Sequence, residues 1–518
     1  MEQTQEIQKR ELFGHPVGLY ILFLTEMWER FSYYGMRAIL TLYMVAKTTD
    51  ANPGMGWNNG RALELYGWYT MLVYVASIPG GMIADKLIGQ KKSVLIGAII
   101  LCFGHGVLAI QADWAFYTGL GLIITGVGLL KPNVSTMVGG LYRQGDIRRD
   151  KGFSIFYIGI NLGSLLATTF VGLVAAEFGW HYGFGLAGIA MLLGLVVYIW
   201  GQKYLTHVGN HTIEPDTDEV SIGKLYKDLF ISPKQLIISA ILLVISVYGW
   251  YELGWGYGLL FIFISAISAL MMMIYKDLEL KINKDRYLVL LISFLIVIVF
   301  WGAFEQAGGL MNIYTQNKTD RVLFGWEIPA AMFQGLNAGF IILFAAAIAG
   351  FWAKRKLKGK EASSLFKMGI GTIIMGLGFV FMVFASTEYS KHGSSGMQWL
   401  VLAYLFHTIG ELCSSPVALS FITKLAPVRY ASLMMGVYFA ATGLGNKVAG
   451  VLGEGSTEFG EKTIFLGITI FTVIFGLLLI AFLKPLKRLT HGAEDNERKL
   501  DDLEDNEGFE IEENINNI

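Results

Sequence analysis

Residues 25–37 read TEMWERFSYYGMR, and they interrupt a run from about 17 to 46 that is otherwise apolar and long enough to cross a bilayer. At about 100° per residue, Glu26, Glu29, Arg30, Tyr33, Tyr34 and Arg37 share one helical stripe, while Met27, Phe31, Gly35, Met36 and Ala38 lie outside it. An ionisable side chain at the centre of a membrane helix costs roughly 2.5–3.5 kcal/mol on insertion scales, so four without partners would cost on the order of 10 kcal/mol. The stripe must therefore face partners or water. A buried ion-pair network that only orients helices would satisfy it. Four charges and two tyrosines on one face point instead to a polar central cavity.

The rest of the 518-residue chain fits that setting: 54% of it is hydrophobic and 16% charged, with a mean hydropathy of +0.52. A soluble domain devotes about 25% of its residues to charges, so the length counts membrane helices and not globular domains. The 62 glycines suit helices that pack backbone to backbone. Cys102 and Cys413, both in apolar surroundings, indicate neither a disulfide framework nor a cysteine metal site. The polar start, MEQTQEIQKREL, runs into a full span with no small-residue cleavage site, so no cleavable signal peptide is expected.

Spanning runs recur near 17–46, 62–86, 92–111, 114–138, 150–177, 182–204, 234–252, 256–276, 287–315, 327–353, 365–386, 396–422, 430–452 and 463–484, about fourteen helices in all. Basic residues crowd alternate loops, such as Lys86, Lys91 and Lys92, then Arg143, Arg148 and Arg149, then Lys354, Arg355 and Lys356. By the positive-inside rule both termini are expected in the cytoplasm. The runs at 234–252 and 256–276 carry almost no polar residues and read as a peripheral, lipid-facing pair. The expected organisation is a six-helix bundle over 1–204, a linker with two extra spans over 205–286, a second bundle over 287–484, and an acidic tail over 485–518. That tail reads as a solvated segment or a partner-binding one.

In GGMIADKLIGQKK, the residues Gly81, Asp85, Gly89 and Lys91 fit the GxxxDxxxGxK loop of the major facilitator superfamily. There the glycines are expected to let helices pack closely, and Asp85 to cap the next helix or pair with a base. GVGLLKPNVST places Lys131 beside Pro132, which reads as a broken helix at a binding site. Asn161 serves either a ligand or a neighbouring helix. Glu305, Asn337 and Glu411 are further polar groups at membrane depth. Counting at 1.5 Å per residue puts Arg37 and Glu305 in the outer half, and Lys131 and Glu411 at or below the midplane. Two opposite-charge pairs, Arg37 with Glu305 and Lys131 with Glu411, could then gate a cavity from its two sides.

These blocks together resemble the proton-coupled oligopeptide (POT, or PTR) transporter family of the major facilitator superfamily, from end to end. They are ExxERFxYYG at Glu26–Gly35, the loop motif, KPNVS, FYxxINxGSL and GELxxSP. The resemblance implies an all-α polytopic fold of two six-helix bundles with two inserted peripheral helices. It implies import of di- and tripeptides by symport across the bacterial inner membrane, with protons as the coupling ion, no cofactor or metal, and a functional monomer. By motif match, Arg30, Arg37 and Lys131 would hold the peptide carboxylate, and Glu411, Asn161 and Asn337 its amino terminus. Tyr34 and Tyr69 would line the cavity, with Tyr438 where the family usually carries Trp. Glu305 would be the proton-responsive acid, and Glu26 and Glu29 would couple protonation to the first helix.

An integral membrane enzyme would need a nucleophile with a base, or a metal motif such as HExxH; Ser414 and Ser415 lack a nearby His or Asp, and His105, His181 and His407 stand apart. A carrier of nitrate, an amino acid or another small anion remains the alternative on the same fold.

Overall fold

The computed structural model describes residues 10–143, 146, 148–210, 254–427 and 430–493, with isolated positions at 241, 244 and 247. Apart from those three positions, the expected span at 234–252 lies outside the described residues, as do most of the segment before it and the tail beyond 493.

Long apolar runs become helices because only a helix satisfies every backbone polar group within its own segment when no water is at hand. The first is α1 (Val17–Val45). It is followed by α2 (Asn59–Val75), which continues through Ser77–Ile83 and a wide turn at Ala84–Ile88. Then come α3 (Gln90–Leu108), α4 (Asp113–Gly140), α5 (Arg149–Phe178) and α6 (Trp180–Gly201). Beyond the linker stand α7 (Trp255–Asp277), α8 (Lys281–Phe304), α9 (Leu310–Lys318), α10 (Gly335–Leu357), α11 (Ser364–His392) and α12 (Gln398–Leu425). The last are α13 (Ala431–Phe459), α14 (Glu461–Ala481) and the short α15 (Leu483–Leu489). Among the described residues, 11 helical segments are long and apolar enough to cross a membrane. Helices α1 and α13, of 29 residues each, have the length but carry too many polar groups to reach that apolarity. Among the described residues the strands are short two-residue pairs, such as the parallel pair Thr319–Asp320 with Ser395–Gly396.

Two compact units partition the chain. The first comprises 1–213, 295–417 and 438–481. In it α3 packs along α4, α1 lies against α5 and α6, and α11 lies against α14. One apolar cluster gathers around Leu22, Met36, Ile39 and Phe184, and another around Phe300, Phe379 and Phe465. The second unit comprises 214–294, 418–437 and 482–518, where the Tyr287 hydroxyl donates to the Met271 carbonyl at 3.0 Å and His491 Nε2 lies 2.8 Å from Asp285.

Three local expectations change. Pro132 does not break α4, which runs unbroken to Gly140; Asn133 Nδ2 donates to the Leu129 carbonyl at 2.7 Å, so the turn around the proline stays closed. The close helix approach belongs to Gly80, whose added Cβ would fall on the Gly128 carbonyl, and not to Gly81, which faces open space. Asp85 is exposed and does not cap α3, which begins directly after Gly89 at φ +81° with no side-chain cap. A left-handed glycine ends the preceding turn, leaving no residue free to cap with its side chain.

Candidate functional site

The face of the first unit at which α1 ends and α2 begins is termed distal, and the opposite face proximal. The polar stripe of α1 divides between two neighbourhoods. Toward the proximal face, Arg30 Nε lies 3.0 Å from Glu26 Oε1 and also pairs with Glu29. Glu26, Glu29 and Arg30 are only 3%, 0% and 2% exposed. This part of the stripe is thus drier than the cavity wall expected from sequence: acids four and one residues away on its own helix pair with the guanidinium. The Arg30 guanidinium also stands 5.6 Å and 5.9 Å from the ring centres of Tyr33 and Tyr34.

Toward the distal face the stripe reaches across to the second half of the chain. Arg37 Nη1 donates to Glu305 Oε1 at 2.7 Å, and the Tyr66 hydroxyl donates to the same oxygen at 2.6 Å. The backbone presents Glu305 because α8 stops at Phe304, where a tight turn at Glu305–Ala307 precedes α9. The apolar run at 287–315 is therefore two helices with the carboxylate at their joint. Around it, Thr41 Oγ1 donates to the Gly308 carbonyl at 3.0 Å, and Asn312 Nδ2 donates to the Ala38 carbonyl at 2.8 Å. Gln306 Nε2 donates to the Ala449 carbonyl at 3.0 Å. Helix α13 closes on α2 through bare backbone: a Cβ at Gly67 would stand 2.9 Å from Gly450 Cα.

Lys131 and Glu411 are not brought together among the described residues. Lys131 Nζ sits 3.7 Å from the Tyr74 ring centre, within Coulombic range of Glu29, Glu26 and Arg30. Glu411 Oε2 accepts from Asn337 Nδ2 at 2.8 Å, and the same amide reaches Thr408 Oγ1 at 3.1 Å. The cation–ring contact of Lys131 and the hydrogen bond of Glu411 each lie within their own half of the chain, while Lys131 also feels Glu305 and Glu411 feels Arg37 across the halves. Tyr34, Tyr157 and Tyr438 share the electrostatic neighbourhood of Glu411. Asn161 turns its amide to the Tyr157 carbonyl of its own helix at 2.9 Å. Tyr69 is buried, and its hydroxyl has no hydrogen-bond partner among the described residues.

Sequence reasoning missed Tyr66, Tyr74 and Thr408. Tyr66 stands one helical turn before Thr70 and three residues before Tyr69, so a polar face of α2 was legible there. No group of three His, Cys, Asp or Glu side chains that could hold a metal occurs among the described residues.

A family model described as the POT family matches residues 91–466. The chain is 37% identical over 494 residues to an uncharacterized transporter, YclF, of Bacillus subtilis, covering 94% of this chain and 98% of that one. It is 35% identical to the peptide transporter YePEPT of Yersinia enterocolitica, covering 94% and 97%. It is 34% identical to a di-/tripeptide transporter of Lactococcus lactis, covering 94% and 99%. Among solved structures, a peptide transporter POT in complex with sulfate superimposes with a TM-score of 0.79 at 35% identity, covering 94% of this chain and 99% of that one. A POT family transporter in complex with 5-aminolevulinic acid gives a TM-score of 0.79 at 33% identity, covering 93% and 99%. The fold is accordingly of the major facilitator type, in a membrane-embedded helical protein, and the chain belongs to the POT family.

Proposed function

We propose that this protein is a proton-coupled symporter that imports di- and tripeptides by alternating access. It works as a monomer in the bacterial inner membrane, with both termini in the cytoplasm and the distal face outside. Its two working halves are the bundles at 1–204 and 287–484, and the proton is the coupling ion, with no cofactor.

One observation carries the reading: Arg37, a cation on the first bundle, is held by Glu305, a carboxylate on the second, with Tyr66 donating to the same oxygen. A proton on Glu305 removes the charge that holds Arg37, which frees the guanidinium for a peptide carboxylate and releases the distal contact. A di- or tripeptide carries unlike charges at its ends. Arg37, Lys131 and Arg30 supply the positive pole for one end, while Glu411 with Asn337 and Asn161 supplies the other. Tyr34, Tyr69 and Tyr438 line the space between. Recognition of the two ends leaves side chains loosely specified. Glu26 and Glu29 link protonation to Arg30 through the buried cluster on α1.

The test is uptake of a radiolabelled dipeptide into proteoliposomes with and without a protonophore. Uptake driven by an inward proton gradient and abolished by the protonophore is expected. Glu305→Gln is expected to lose gradient-driven uptake and retain counterflow. Equal loss of both would remove the coupling role, and gradient-driven uptake of nitrate or a free amino acid in place of peptide would overturn the substrate.

A further inference from the structure

A second charge is buried in the distal contact between the halves. Lys447, on α13, is 2% exposed, and its ammonium sits 4.2 Å from the ring centre of Trp68 on α2. Glu64 of α2 and Glu454 of α13 lie within its Coulombic range. Around it the two backbones approach closely at glycines. Gly450 lies on Gly67, a Cβ at Gly443 would stand 2.9 Å from the Met71 carbonyl, and Asn446 Nδ2 donates to the Thr70 carbonyl at 3.4 Å.

A lysine in such a seam has two opposing tendencies. Its ammonium is drawn to water, which favours opening, while the ring face and the two acids reward it for staying. A neutral residue of the same length would have neither. The cation at this position makes the seam sensitive to what stands opposite it.

We propose that Lys447 and Trp68 form an electrostatic catch across the α2–α13 seam that sets how readily the distal side opens. Lys447 is a positioning residue: it touches neither the Glu305 carboxylate nor the Glu411 site in the contacts described, and acts through the fit of the two helices. The inference rests on the alternating-access reading above, but the following measurement needs no substrate, so its failure is separable from failure of the peptide assay.

The probe is a cysteine at Gly60→Cys in a background with Cys102→Ala and Cys413→Ala. A Cβ at Gly60 lies 3.5 Å from Thr457 Cγ2, across the distal end of the same seam. The reaction rate with a water-soluble maleimide, measured on detergent-purified protein, reports opening. Trp68→Leu, which leaves the ammonium without its ring, is expected to speed labelling about thirtyfold, the scale of one desolvated cation–ring contact. Lys447→Met is expected to slow labelling, and the Trp68→Leu and Lys447→Met double variant to behave like Lys447→Met alone. Lys447→Arg is expected to match the parent, which separates charge from packing. If Trp68→Leu speeds labelling equally in the Lys447→Met background, or changes it in neither, the catch does not exist.

Discussion

At the scale of single residues, Glu305 Oε1 takes both the Arg37 guanidinium and the Tyr66 hydroxyl in the distal contact. A hydrogen bond to a buried carboxylate contributes about 1.5–3 kcal/mol, and Tyr66→Phe removes it while keeping the ring. The thermal unfolding midpoint in detergent is therefore expected to fall by a few degrees for Tyr66→Phe. If the phenol acts through the carboxylate, the double variant with Glu305→Gln should lose no more than Glu305→Gln alone, to within about 0.5 kcal/mol. Additive losses would mean that Tyr66 stabilises the protein some other way. This pair also marks what the sequence could say at residue level. Counting residues along two spans put Arg37 and Glu305 at matching depth, because a straight helix has a fixed rise. Nothing in that count reveals Tyr66, whose place depends on how α2 rotates against the joint after α8. It likewise cannot tell that Glu26 and Glu29 are spent on Arg30, because one stripe on a helical wheel serves an internal ion cluster and a cavity wall equally well.

At the scale of elements, the expected spans from 17–46 to 256–276 match the helices to within about three residues wherever the chain is described, since hydrocarbon thickness and backbone satisfaction leave little choice of length; in the second half the run at 287–315 is two helices, α10 begins at Gly335 instead of near 327, and α11 and α13 run on to His392 and Phe459. What escaped the pattern is how helices end or touch. The tight turn at Glu305–Ala307 lies inside an apolar run with no proline to announce it. The prolines at 132 and 416 are both carried inside continuous helices. The glycines differ in the same way: Gly67 meets Gly450 Cα where a Cβ would stand 2.9 Å away, whereas Gly81, singled out by its motif, faces nothing within 4 Å. Gly67→Ala is accordingly expected to destabilise the closed seam by about 1–3 kcal/mol through overpacking, and Gly81→Ala to be close to neutral. Thermal unfolding of both variants in the same detergent checks this. An equal loss in the two would show that glycine is needed for backbone freedom and not for close approach.

At the scale of the whole molecule, contacts between the first half of the chain and the second at the distal face include, among the described residues, Arg37 with Glu305, Thr41 with Gly308, Asn312 with Ala38, and Gly67 with Gly450. Lys131 and Glu411, expected to meet on the other side, are each engaged within their own half. On the alternating-access reading proposed above, that is the arrangement expected of one member of a two-state pair, with the distal set of bridging contacts made. If the halves rock as bodies, loosening one end must tighten the other, because a shared pivot leaves no independent motion to either. Spin labels at the exposed positions Arg61 and Lys462 straddle the distal end, and labels at Lys92 and Lys354 the proximal end. In pulsed electron resonance measurements, Glu305→Gln should shift the 61–462 distances to longer values and the 92–354 distances to shorter ones. Lengthening at the distal pair with an unchanged proximal pair would mean that the distal contact opens as a local gate, and rigid-body alternation would have to be abandoned.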